Sequence, residues 1–184
     1  MPEPRRDHAQ ACRELEDRLG HPEMPGRWAS GLWPVDREHA LVIAQHHALL
    51  ASIDAQDRHL PAVEFARYVT MLRAHYRSEE ALQREIGFPE LPEHAKVHAG
   101  FLDEVVKILE ELRRDGPKPS LATWMAEGSP LWLGVHIHND LAIARFCGER
   151  AIRVDSDEWL WRAGVPDVSE PPSLARARFP GPAR

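Results

Sequence analysis

Four amphipathic stretches of this chain place histidine or carboxylate in the middle of their apolar faces. No other feature of the sequence restricts the fold so strongly. In "WLGVHIHNDLA", residues 132–142, His136 and Asp140 interrupt what would otherwise fill a core. The same interruption occurs at His39, at His75 and Glu79, and at His94 and His98. Four residues turn about 400° around an α-helix, so each such pair presents both side chains on one face. Burying these groups costs several kcal/mol each unless hydrogen bonds or a metal satisfy them. One pair alone reads as a solvated helix face; three pairs and His39 in successive inward stripes do not.

The apolar residues recur with a helical period, and strand-like alternation is absent. A first helix is expected over "WPVDREHALVIAQHHALLASIDAQD", with Asp36 as its N-cap and His39, Val42, His46, Leu49 and Ile53 on one face. After "RHLP" a second runs to about Gly87, carrying Phe65, Tyr68, Leu72, His75, Glu79, Leu82 and Ile86. The "GFPELP" turn leads to a third, with Leu91, His94, His98, Phe101, Val105, Ile108 and Leu112, which stops at "RRDGPKP". A short helix, "SLATWMAE", precedes "GSP", where Ser129 is expected to cap a fourth helix and Pro130 to occupy its first turn. That helix carries Leu133, His136, Asp140, Ile143 and Cys147.

Four such helices joined by short turns predict an all-α, antiparallel up-down four-helix bundle over residues 28–153. Residues 1–27 form an N-terminal extension with room for a short polar helix. Residues 154–184 form a partly irregular C-terminal tail, in which the Trp159–Trp161 pair could dock on the bundle and the Pro-rich end is loose.

A net charge of -6 argues against nucleic acid or an anionic membrane surface as partner. No run approaches a membrane span, the N-terminus lacks an apolar signal core, and two cysteines make no disulfide framework. A cytoplasmic location follows as the expectation. The unusual total is eleven histidines.

Not all of them belong to the stripes. His138 is about 200° around the helix from His136 and should face solvent. His46 lies in the inward stripe but about 10.5 Å along the axis from His39, too far for the same ions, and reads as a satisfied core histidine. His47 sits at the edge of that face, while His8, His21 and His59 fall in tail or loop. Glu80 should point away from Glu79 as a surface carboxylate, and Cys147 reads as core.

The set of His39, the HxxxE of His75 and Glu79, the HxxxH of His94 and His98, and His136 with a following aspartate resembles the hemerythrin family, its bacterial branch above all. Trp28, the Phe88-Pro89 turn and Trp132 fit that resemblance, which covers about residues 28–150. There is one departure. The family's aspartate stands five residues after the helix-four histidine, where this chain has Leu141, and Asp140 comes one residue early. Either relatives widen the helix at this point and this chain does not, or "GSP" shifts the helix against its neighbours.

The resemblance implies two non-haem iron ions with an oxo or hydroxo bridge. His94, His98 and His136 would hold one iron, His39 and His75 the other, and Glu79 and Asp140 would bridge. It also implies dioxygen as the ligand, since this donor set leaves one of two octahedral ions a position short. Phe101, Trp132, Ile137 and Leu141 are candidates for an apolar wall, from their places on the helices. Imidazole and carboxylate by themselves suit zinc, manganese or copper as well as iron. The leading expectation is a reversible oxygen binder serving delivery, storage or sensing, and not an enzyme. The alternatives are a di-iron oxidase, peroxidase or nitric-oxide-handling enzyme, and a metal-storage bundle with no redox role. Nothing in the sequence selects a protein partner.

Overall fold

The computed structural model describes residues 8–19, 29–53 and 59–168. Trp28, His21 and the Pro-rich end lie outside the described residues. The described chain is all-helical, without strands: α1 (His8–Leu19), α2 (Trp33–Ile53), α3 (Leu60–Ile86), α4 (Leu91–Asp115), α5 (Pro119–Thr123) and α6 (Ser129–Glu149). Helices α2, α3, α4 and α6 form the bundle. No described helix is long and apolar enough to cross a membrane.

Helix ends follow local chemistry. Gly87 closes α3 at φ 70°, a left-handed conformation that costs glycine nothing, and its N–H reaches back to Arg84 O at 3.3 Å. Gly116 stops α4 with a positive φ of 77° but an extended ψ of 178°, donating to Leu112 O at 2.9 Å. Asp36 is not the N-cap of α2, because the helix has begun at Trp33. Its carboxylate instead turns back and accepts from the Ser30 and Gly31 amides at 2.6 and 3.0 Å, fixing the entering loop.

The second departure lies before α6. Ser129 caps nothing, since α5 continues into α6 through a π-helical turn at Trp124–Gly128. Proline at 130 has no N–H for the helical ladder, which favours such a rearrangement one turn upstream. Ser129 Oγ bonds to Tyr68 Oη on α3 at 3.1 Å. A Cβ at Gly128 would come within 3.2 Å of the Trp124 ring, so a larger residue there would require that ring to shift by a few tenths of an ångström.

Two apolar clusters hold the bundle. The larger includes Leu41, Leu49, Phe65, Met71, Leu72, Val105 and Met125; the smaller gathers Leu32, Val35, Leu82, Phe88, Ile143 and Cys147. Full burial of each large side chain contributes about 1.5–3 kcal/mol. Along α2, α3 and α6 the histidine and carboxylate layer falls between the two clusters.

The extension and part of the tail complete the larger cluster. Leu15 of α1, Leu160, Trp161 and Val168 all lie in it, and Trp161 is fully buried. Arg37 pairs with Glu16 at 2.7 Å, and His8 Nε2 donates to Leu160 O at 3.0 Å, so α1, α2 and the tail are tied together.

Candidate metal centre

Each bundle helix delivers part of one buried set. His39 comes from α2, His75 and Glu79 from α3, His94 and His98 from α4, and His136 and Asp140 from α6. All seven are buried; six are at most 1% exposed, and His94 is 7% exposed. The i, i+4 spacing turns each pair inward together, including His136 and Asp140 within the regular α6.

The ring nitrogens and carboxylate oxygens converge. His75 Nε2 is 3.1 Å from His136 Nε2. Glu79 Oε2 is 3.5 Å from both of these nitrogens and 3.6 Å from His98 Nε2. Its other oxygen, Oε1, is 2.7 Å from His94 Nε2. Asp140 reaches across the set, with Oδ2 at 3.3 Å from His39 Nε2 and Oδ1 at 3.4 Å from His94 Nε2. Two overlapping groups result, each with its ligand atoms within 4.8 Å of one another: His39, His75, Glu79 and His136, and Glu79, His94, His98 and His136.

These residues fit a metal on two counts. Donors about 2.0–2.2 Å from one ion sit roughly 3.0–3.5 Å from each other, which is the spacing observed. Most of the convergent atoms also have no hydrogen-bond partner: both nitrogens of His39, Nε2 of His94 and His98, Oε2 of Glu79, and both oxygens of Asp140. They are close without being aligned on each other, as lone pairs aimed at a shared point would be. That many unpaired buried polar atoms would be costly without a cation.

Electrostatics agree. Burial pushes His39 and His136 well below their ordinary pKa and lowers His98, so the rings are neutral donors. Burial opposes ionisation of Glu79, yet His94, His136 and His98 around it hold it well below the usual carboxylate range. Asp140 is raised well above that range by burial and by Glu79 and Asp36 nearby. Two adjacent buried carboxylates cannot both ionise unless positive charge lies between them.

Two of the rings are held from behind by carboxylates, while Nδ1 of His39 and of His136 has no partner among the described residues. His75 Nδ1 donates to Glu38 Oε2 at 3.0 Å, and His98 Nδ1 donates to Glu80 Oε1 at 3.1 Å. Such contacts fix the tautomer that leaves Nε2 free for a metal. Glu80 is therefore no idle surface carboxylate, contrary to the expectation from its side of the helix. Glu38, only 2% exposed, was not foreseen. Its one signal was the need of an inward histidine for an acceptor behind it. Tyr76 was also missed; its ring stacks on His98 with centroids 3.9 Å apart and planes 7° apart.

Of the four residues expected to wall the cluster, Trp132 lies against His136 and Leu141 does not face the cluster. Trp132 stacks on Phe101 at 3.4 Å and lies face to face with His136 at 5.3 Å, and Ile137 is buried. Leu141 is 39% exposed and does not wall the cluster. One residue past Asp140 the helix has turned away, and Leu141 borders a surface cleft of about 370 Å³ with Val97, His138 and Asn139, whose floor includes His94. His138 is exposed, and His46 donates from Nε2 to Met125 O at 2.9 Å.

No protein-family model matches the chain, and no curated protein or solved structure matches it. The likeness to hemerythrins rests on the motif residues alone.

Proposed function

We propose that this chain is a non-haem di-iron protein of hemerythrin type that binds dioxygen reversibly, for delivery, storage or sensing. The observation that carries the reading is the pair of overlapping donor groups, with Glu79 and His136 common to both and Asp140 spanning from His39 to His94.

His39 and His75 would hold one ion and His94 and His98 the other. His136 lies within reach of both groups and is assigned to the second on the family's pattern. Glu79 and Asp140 would bridge. When bound, a pair of irons supplies reversible electron exchange with dioxygen. Five neutral imidazoles against two carboxylates is a nitrogen-rich donor set, unlike the glutamate-rich sites of ferritin-like oxidases. Such a set stabilises oxidised metal less, which favours reversible binding over substrate oxidation. Trp132 and Phe101 shield His136 from water, and Glu38 and Glu80 hold the rings of His75 and His98 in place.

The test is iron content together with the visible spectrum of the reduced protein before and after air. About two irons per chain, with an absorption band that appears in air and disappears under vacuum, is expected for the two donor groups. The cleft above His94 favours a second reading, turnover of peroxide or nitric oxide by the same pair. Rapid irreversible oxidation of two irons would select it. Zinc or iron bound with no oxygen-dependent spectrum would leave only metal storage.

A further inference from the structure

The tail residues Leu160, Trp161 and Arg162 do more than fill a gap in the core. Glu38, whose Oε2 accepts from His75 Nδ1, uses its other oxygen, Oε1, to accept from the backbone N–H of Trp161 and from Ser78 Oγ at 2.8 Å. Ser78 Oγ in turn accepts from the Arg162 N–H at 2.7 Å. A buried carboxylate is thus shared between the back of a candidate ligand and two consecutive tail residues. The anchor is strong: the Trp161 side chain is fully buried, and further along Val168 O accepts from Arg18 and Arg67 at 2.9 and 3.2 Å.

We propose that docking of residues 160–162 and metal occupancy of the site are reciprocally coupled through Glu38. The inference rests on the reading of the buried cluster as a metal site. A cation on His75 Nε2 polarises the ring and makes its Nδ1–H a stronger donor to Glu38. The carboxylate is then fixed, with its far oxygen aimed at the Trp161 amide. The same contacts work in reverse, since a docked tail holds Glu38, and Glu38 holds His75 in the metal-binding tautomer. Linkage requires the two effects to be equal in size.

The experiment is amide hydrogen exchange by NMR on the full chain, metal-free and loaded with zinc(II), which is redox-silent. Zinc is expected to slow exchange at the Trp161 amide at least about tenfold, as an outer-shell contact of this kind would. In Glu38→Gln the metal-dependent difference should vanish while zinc still binds. Ser78→Ala should raise exchange at Arg162 in both forms yet keep the difference at Trp161. Conversely, Trp161→Gly removes the anchor at a residue whose φ of 51° suits glycine, and zinc affinity should then fall by about tenfold or more, as linkage requires. Equal Trp161 exchange with and without zinc would overturn the coupling, as would a difference that survives Glu38→Gln or an unchanged zinc affinity in Trp161→Gly. Failure of the wild-type chain to take up zinc or iron would instead bring down the metal reading itself.

Discussion

His39 and His46 stand two turns apart on the same face of α2, both buried, and they have opposite fates. His46 Nε2 donates to Met125 O, one contact that explains its burial without any ligand. His39 has both ring nitrogens unpartnered and faces Asp140, whose oxygens are unpartnered too. The layer around His46 is complete within the protein; the layer around His39 has the donor set of a cation site. Burial alone therefore does not mark a site in this bundle; unpartnered ring nitrogens and carboxylate oxygens converging in one layer do.

The contrast can be broken in four ways. Metal should stabilise the layer around His39: at a free concentration a thousandfold above its Kd, about 4 kcal/mol. For a chain of this size that is a rise in melting temperature of roughly 8–16 °C, measured by calorimetry against the chelated protein. An unchanged melting temperature would equate the two layers. Next, His136→Ala should weaken metal binding at least about 100-fold, since losing a ligand exceeds losing its outer-shell partner. Dialysis with metal analysis reads this, and near-normal affinity would remove His136 from the donor set.

His46→Ala should do the reverse. It leaves Met125 O without its donor and opens a cavity, costing about 2 kcal/mol in urea unfolding with metal content unchanged. Loss of metal would place His46 in the site after all. The smallest effect is with pH, in the metal-free chain. Folding holds His39, His98 and His136 below their ordinary value of 6.5. Below that pH the unfolded chain binds more protons, so their contribution is present above pH 6.5 and lost as pH falls, by about 1.4 kcal/mol per unit for each proton withheld. His46 is lowered too and adds to this loss, while Asp140 and Glu38, raised above their ordinary carboxylate values, work in the opposite sense: two groups against four. Urea midpoints between pH 7.5 and 5.5 should therefore fall; a flat profile would show the rings free to protonate.

The bundle was legible in the sequence because each helix repeats its apolar residues over many turns, and two glycines mark where α3 and α4 end. The convergence of seven side chains was legible because i, i+4 spacing fixes faces without reference to neighbours. What stayed hidden depends on partners distant in sequence. Glu38 reads as one more charge in "VDREH" until Trp161, more than a hundred residues on, is found beneath it. Glu80 looked exposed because its bond to His98 joins two helices, and Asp36 passed for an N-cap because its true partners, the Ser30 and Gly31 amides, precede the helix. The π-helical turn had a clue in Pro130, but no residue type compels that geometry.

That turn has a consequence for how the site is inherited. Trp124–Gly128 carries the chain between α5 and α6 on a wider ring than the turns on either side. The wider turn takes up one residue more than an ordinary turn, so a single-residue deletion there would let the ladder close as an ordinary helix with the flanking segments near their present bearings. A deletion between Ser129 and His136, in the regular part of α6, meets no such slack and would rotate everything after it by about 100°. His136 and Asp140 would leave the interior together, and the neighbours they displaced would take their bearings. The donor set of α6 is thus addressed by a count of residues as much as by their identity, and one codon lost after the wide turn would decide whether the fourth helix speaks to the metal at all.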